Sequence, residues 1–444
     1  MSYLSVLRQS LNANLELLED ELGGAEGPHL LDARPYSPLD DAANPPSKKT
    51  VELLEKIRVD LKAVDAIVTP SQFKVVDVAN AQYGAAALGG AVLLDVAGAI
   101  EKLGGEASLE KLAEETGANE HKLGRILRTL TGEYIFQETS HQVFKNTRHS
   151  IGLSHPGARS FLSFITDLGM KSSSGIPKDL IDPETKNSFA ETTAPFCKVV
   201  SKNGQTFAEY MGDPENAAMV ALGNEGVVGW LNKLTRASLL NDYPWAELGN
   251  GTVIDLGCGA GDSGMDAVQQ YPHLTWVYQD FEPVLESLKK DYPAHLSERV
   301  QNGTTTFVTQ DYFQPNVSDG NAWYMRGVLH EYDDEGVLTI LKHVGDAMQR
   351  TPGSKMIINE VLNSSPVIMP ASSTSAPSEC IPATQSALGS VANTMTWSTF
   401  SLFGGKERSY AEYEALLNAA GLRISRFFKF RTFTVVLEAV VNVL

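Results

Sequence analysis

Cysteine is scarce in this sequence, with three in 444 residues. Cys197, Cys258 and Cys380 lie far apart, which excludes a disulfide framework and leaves no paired metal-ligand spacing. A reducing, cytoplasmic setting is expected, and no metal site is read. Also missing is any run of about eighteen apolar residues, the length a membrane-crossing helix needs. The amino-terminal stretch MSYLSVLRQSLNANLELLEDELGG interrupts its apolar positions with charge where a secretory signal keeps them continuous. No membrane partner is expected. Basic residues are in deficit, 36 Lys and Arg against 54 Asp and Glu, for a formal net charge of -18. Such a field repels polyphosphates at long range, so nucleic acid is not an expected partner.

What is present suffices for two buried cores: 43% of the residues are hydrophobic. Leu4, Leu7, Leu11, Leu15 and Leu18 recur at three-to-four spacing and predict an amphipathic helix. Having no core of its own, that helix is expected to pack on a partner subunit. Residues 27–48 are rich in Pro, Asp and Ala and read as a linker without regular structure. From Thr50 to about Ser154 the pattern is helical until Tyr134, where YIFQETSHQVFKNT has the alternation of a hairpin. Helices followed by a hairpin predict a winged-helix domain. Ser108 to Gly117 and Asn119 to Leu130 read as two helices joined at a glycine turn, with Ser108 and Asn119 as their caps. A helix-turn-helix can bind DNA or serve as a packing module that builds a dimer or a substrate wall. Glu110, Glu114, Glu115 and Glu120 oppose phosphates and favour packing. A helical stretch from Gly157 to Leu240, broken at Pro177, Pro183 and Pro195, reads as a bridge between domains. The expected division is therefore 1–48, helix and linker; 49–155, winged-helix dimerisation domain; 156–245, helical bridge; and 246–444, catalytic domain.

From Gly251 the texture becomes strand, glycine loop and helix in repetition: TVIDLGCGAG, LTWVYQD, TTTFVTQD, AWYMRGVL and KMIINEVL, with helical patterns between them. This alternation predicts an α/β domain with a parallel sheet covered on both faces. Residues 363–386, Ser- and Pro-rich, interrupt it and read as a mobile loop.

The run Val253 to Leu256 leads directly into Gly257-Cys-Gly-Ala-Gly261 and a helical pattern, a place where glycines at Gly257, Gly259 and Gly261 let a ligand approach backbone. Gly259 to Gly264 also satisfies the dinucleotide pattern GxGxxG, so the loop alone fits a nicotinamide cofactor as well as S-adenosylmethionine. Asp255 separates them: a buried carboxylate is costly beside a diphosphate and useful beside an ammonium or a bound water. Asp280, ending the second strand pattern, can accept from ribose hydroxyls, and Asp311, ending the third, lies within reach of an adenine amino group.

His330 follows the fourth strand pattern and emerges at the same carboxyl edge. Glu360 ends the next pattern, and Glu407 stands in Gly404-Gly-Lys-Glu-Arg408 before another helix. Two carboxylates orient an imidazole and raise its basicity. Methyl transfer from a sulfonium to an oxygen requires one group that accepts the hydroxyl proton, and His330 has the right chemistry.

VIDLGCGAGDSG, YQDFEP, VTQDYF, MRGVLHEYDDE, INEVL and GGKERSYAEYEALLNAAGL resemble, in that order, the segments of the caffeate-type small-molecule O-methyltransferases of plants and fungi, across roughly residues 60–440. The resemblance implies a Rossmann-like, doubly wound methyltransferase domain behind a mainly helical winged-helix domain that makes a homodimer. It implies Gly257, Asp280, Asp311 and Arg326 around S-adenosylmethionine, His330 as base, and Glu360 and Glu407 beside it. The expected substrate is a hydroxylated aromatic or polyketide-like small molecule. Glu331 and Tyr332 depart from the family's usual Asp and Trp, and the insertion after Glu360 exceeds the shorter turn of many relatives. Some fungal enzymes that look like this family retain the cofactor yet catalyse dehydrations and pericyclic cyclisations, with the sulfonium polarising a carbonyl and the histidine donating. That alternative stays open, as does a DNA-binding regulator with a vestigial catalytic domain.

Overall fold

A computed structural model describes residues 2–23, 38–40, 44–363 and 387–442. It divides into two compact units, Met1–Ser174 with Ala208–Leu234, and Gly175–Phe207 with Thr235–Leu444. The proline-broken stretch 156–245 is thus shared between both units.

In the first unit, α1 (Tyr3–Glu21), α2 (Lys48–Val68), α3 (Ser71–Leu93) and α4 (Val96–Lys102) precede the winged-helix elements β1 (Glu106–Ser108), α5 (Leu109–Thr116), α6 (Glu120–Gly132), β2 (Phe136–Ser140) and β3 (Val143–Asn146). Ser108 accepts from the Lys111 N–H and Asn119 from the Lys122 N–H, which satisfies orphan donors at the starts of α5 and α6. Gly117 stops α5 at φ 68°, a left-handed conformation that glycine adopts without a Cβ clash. Leu112, Leu123, Leu127 and Leu130 turn inward against Phe136 and Phe144 of the antiparallel wing, whose order is β1-β3-β2. Burying each such side chain stabilises the unit by about 1.5–3 kcal/mol.

The first helix finds cover within its own chain: α1 packs along α2, with Leu7 fully buried and Ser10 Oγ donating to Asp60 at 2.7 Å. A short amphipathic helix gains its packing most cheaply from the nearest sequence neighbour with a matching apolar stripe. The proposed linker falls largely outside the described residues; within it, Pro38–Asp40 form one 3-10 turn. The insertion, apart from Asn363, also lies outside them.

The second unit is built on a seven-stranded sheet: β4 (Thr252–Leu256), β5 (Thr275–Asp280), β6 (Thr305–Thr309), β7 (Ala322–Arg326), β8 (Lys355–Glu360), β9 (Leu422–Lys429) and β10 (Val435–Val441). Their order is β6-β5-β4-β7-β8-β10-β9. Strands β4 to β8 pair in parallel; β4, β5, β7 and β8 are almost continuously buried, as expected of strands covered on both faces, while the edge strand β6 is mostly half-buried. The sheet is nevertheless mixed, because β10 runs antiparallel to both β8 and β9. The purely parallel reading missed this final hairpin.

From β4 the chain winds one way to β5 and β6, then returns beside β4 as β7 and winds the other way. The switch lies between β4 and β7, where open α/β sheets leave a crevice beyond the strand ends. The glycine loop follows β4, and the turn carrying His330 follows β7.

Candidate active site

The glycine loop is held in the conformation its composition anticipates. Gly257, Gly259 and Gly261 take φ values of 69°, 52° and 69°. A Cβ at Gly261 would lie 2.7 Å from Leu288 and one at Gly257 2.8 Å from Val328, whereas one at Gly259 would meet nothing within 4 Å among the described residues. The outer two glycines therefore permit packing, and the middle one presents bare backbone to open space. Gly261 also starts the helix Asp262–Gln270, whose first N–H groups lack intrahelical partners.

Asp280, at the end of β5, accepts from Gly259 N at 2.9 Å through Oδ2 and from Phe281 N at 2.8 Å through Oδ1. An ionised carboxylate has about four acceptor sites, so it retains capacity for ligand hydroxyls. Asp311 accepts from Phe313 N at 2.9 Å and shapes the turn after β6. Arg326 ends β7 and donates to Ser263 Oγ at 2.8 Å and Thr235 Oγ1 at 2.7 Å, tying the strand end to the start of the helix after the loop. Asp255 is buried beneath the loop and accepts from Trp276 Nε1 at 3.0 Å. Burial pushes its carboxyl up to about 7, against the lowering effect of that indole bond. One of its oxygens is thus engaged by a neutral indole; positive-φ backbone over open space and the spare acceptor sites of Asp280 fit an adenosyl cofactor.

Aromatic side chains that sequence reasoning passed over also gather here. Phe281, about half exposed, stands beside Tyr312, and Tyr312, Phe313 and Tyr332 pack edge to face or tilted. The Tyr312 and Tyr332 hydroxyls share a hydrogen bond of 2.5 Å. The only signal in the sequence is the density of aromatics after the acids at 280 and 311.

At the reacting end, three side chains distant in sequence converge. His330 sits in the 3-10 turn Leu329–Glu331, Glu360 at the end of β8, and Glu407 in the segment after the helix Ala387–Phe403. His330 Nδ1 lies 2.8 Å from Glu407 Oε1 and 3.6 Å from Glu360 Oε2. Both carboxylates are buried, and a fifth of the histidine side chain remains exposed. Burial alone would lower the imidazole pKa; the charges of Glu360 and Glu407 outweigh it and raise it to about 10. Burial holds the Glu360 carboxyl above its usual range, partly offset by His330.

The two glutamates act differently. Glu407 Oε1 contacts the ring and also accepts from Thr399 Oγ1 at 3.0 Å. Glu360 Oε1 accepts from the backbone N–H groups of Val328 and Leu329 at 3.1 and 3.0 Å, so this residue holds the turn as well as facing the imidazole. One donor atom from each of the three side chains lies within 4.8 Å of the others, a spacing that a single cation would also accept.

Residues 204–423 match the O-methyltransferase domain and residues 76–153 the O-methyltransferase dimerisation domain. The O-methyltransferase tpcA of Aspergillus fumigatus is 27% identical over 368 residues, 76% of each chain. The structure of the mitomycin 7-O-methyltransferase MmcR superposes with a TM-score of 0.64 at 22% identity, covering 86% of this chain and 99% of that one. A structure described as a pericyclic reaction enzyme superposes at 0.68 and 15% identity, covering 98% and 100%. At these identities the structural likeness concerns the fold.

Proposed function

This chain belongs to the S-adenosylmethionine-dependent O-methyltransferases, and on that premise we propose that it methylates a hydroxyl of an aromatic or polyketide-like secondary metabolite with His330 as general base. The observation that carries the reading is the imidazole bound through Nδ1 to Glu407 and flanked by Glu360, with its ring partly open. In its neutral form, with the Nδ1 proton donated to Glu407, His330 offers Nε2 as the acceptor for the substrate's hydroxyl proton; because the two carboxylates raise its pKa to about 10, the fraction in that form grows as pH rises toward 10. Glu407 stabilises the imidazolium so formed, and Glu360 holds the turn that presents it. S-adenosylmethionine, when bound, supplies a methyl group on a sulfonium. The backbone at Gly257, Gly259 and Gly261 and the Asp280 carboxylate are the groups that would hold it, with Asp311 and Arg326 at the adjoining strand ends.

The apolar surface of α3 supports homodimer formation. Phe73, Val75, Val78 and Tyr83 are all more than half exposed on a helix that overlaps the dimerisation domain, and burying such side chains against a second copy is favourable.

A second reading, cyclisation or dehydration with the cofactor retained, draws on the high proton affinity of His330 and on the fold shared with a pericyclic enzyme. A histidine that keeps its proton is suited to donate it. Incubation with methyl-labelled S-adenosylmethionine and candidate hydroxylated metabolites separates the two by mass. We expect label in the product together with demethylated cofactor; an isomerised or dehydrated product without label would overturn methyl transfer.

A further inference from the structure

The turn bearing His330 is short, and beyond its own Glu331 N–H to Val328 O and Tyr332 N–H to Leu329 O bonds its backbone is held from outside it. Its N–H groups at Val328 and Leu329 go to Glu360. Its carbonyls are taken by the segment that carries Glu407. Lys406 N donates to His330 O at 2.8 Å, Arg408 Nη1 to Leu329 O at 2.8 Å, and Arg408 Nη2 to Tyr332 O at 2.6 Å, while Arg408 Nε reaches Asp334 Oδ1 at 2.9 Å. The segment lies so close to the turn that a Cβ at Gly405 would stand 2.0 Å from His330 O.

Arg408 is fully buried. Taking a guanidinium out of water costs several kcal/mol, and packing alone is served at lower cost by an apolar side chain of similar volume. A planar fork that reaches acceptors at positions 329, 332 and 334 has another capability: it fixes the backbone on both sides of position 330. Lysine, a single point charge, cannot bridge all three acceptors. The adjacent residues Glu407 and Arg408 then address the same histidine by two routes, one through its ring and the other through its backbone.

We propose that Arg408 is a positioning residue, which locks the 329–334 backbone so that the His330 imidazole is held against Glu407 with its other nitrogen aimed at the substrate. The proposal rests on the reading of His330 as the base.

The test uses the full chain with Arg408→Lys, and with Asp334→Asn as a milder variant that loosens the outer anchor of the guanidinium together with the exposed Asp334–Lys406 ion pair. Turnover, S-adenosylmethionine affinity, thermal midpoint and the pH titration of His330 are measured, the last by NMR on histidine-labelled protein with the signal assigned through His330→Gln. For Arg408→Lys we expect turnover to fall about 10- to 100-fold, as for small misplacements of a reacting group. Cofactor affinity should stay within about twofold, and the His330 titration should move down from the alkaline range as the ring leaves Glu407. Asp334→Asn should show the same pattern at about threefold in turnover, a fraction of the full misplacement effect. Wild-type turnover and an unmoved titration would overturn the proposal. So would a loss of turnover that tracks cofactor affinity and thermal midpoint while the titration stays in place, because that marks a merely structural arginine. If Arg408→Lys does not fold, the same readouts on Asp334→Asn decide. The titration needs no turnover, so its failure concerns Arg408 alone, whereas undiminished methylation by His330→Ala would remove the base reading instead.

Discussion

The loop after β4 and the turn after β7 flank one crevice, yet they meet it with different groups. The loop offers backbone at positive φ, with Gly259 open to space and one carboxylate, Asp280, bracing it from the side. The turn offers ionisable side chains, an imidazole between two buried carboxylates, with a buried guanidinium behind. Backbone donors suit a ligand that must be held by shape and hydrogen bonds. Buried charges suit a proton that must change hands, because low dielectric amplifies each interaction between them. Changes at the first region should therefore alter cofactor affinity, and changes at the second should alter turnover.

The largest expected effect is at the turn. His330→Ala should lower methyl transfer by about 10²–10⁴-fold, the usual worth of a positioned general base. Its cofactor dissociation constant by calorimetry should stay within about threefold, since no backbone donor of the loop is touched. A joint collapse of turnover and cofactor binding would break the division between the regions.

A smaller effect is expected at the loop. Asp280→Asn should weaken S-adenosylmethionine about tenfold or more, because a hydrogen bond to a charged group contributes about 1.5–3 kcal/mol. Turnover at saturating cofactor should be nearly unchanged. A variant with normal affinity and low turnover would move Asp280 to the chemical side of the comparison.

The smallest effect concerns stability. The folded-state pKa of His330, raised to about 10, exceeds the ordinary imidazole value of about 6.5. The stabilisation from its charge is therefore complete below the unfolded value and is lost as pH rises through the folded one. The difference in thermal midpoint between wild type and His330→Gln should be largest near pH 6 and shrink toward pH 10. A difference that stays constant over that range would show that the pairing with Glu407 and Glu360 does not retain the proton.

Much of the architecture was legible in the residues. Strands β4 to β8 stand where apolar runs end in glycine or acid, and Ser108 and Asn119 cap the helices they precede. The β9–β10 hairpin was not read, although VVLEAVV is rich in strand formers, because a repeating strand-helix texture drew attention away from a terminal antiparallel pair. Among the site residues, Asp280, His330, Glu360 and Glu407 stood out as polar groups at the ends of apolar patterns or in glycine-rich turns. Arg408 did not, since nothing local shows that an arginine beside an acid will be fully buried. The packing of α1 on α2 was likewise invisible, because an apolar stripe shows that a face must be covered and not what covers it.

The sequence by itself determined the local events: where chains of apolar side chains become strands, where glycine admits left-handed backbone, and which residue types at the strand ends can bind or transfer a proton. Only the tertiary structure decided which of them meet. Sheet order places β7 beside both β4 and β8, and so brings Glu360 to the turn of His330. The docking of a segment 77 residues further on makes Glu407, rather than Glu360, the direct partner of the ring. The same packing sets the Trp276 indole against Asp255. Such pairings depend on distances between separate elements, which follow from strand order and packing and leave no period in the local sequence.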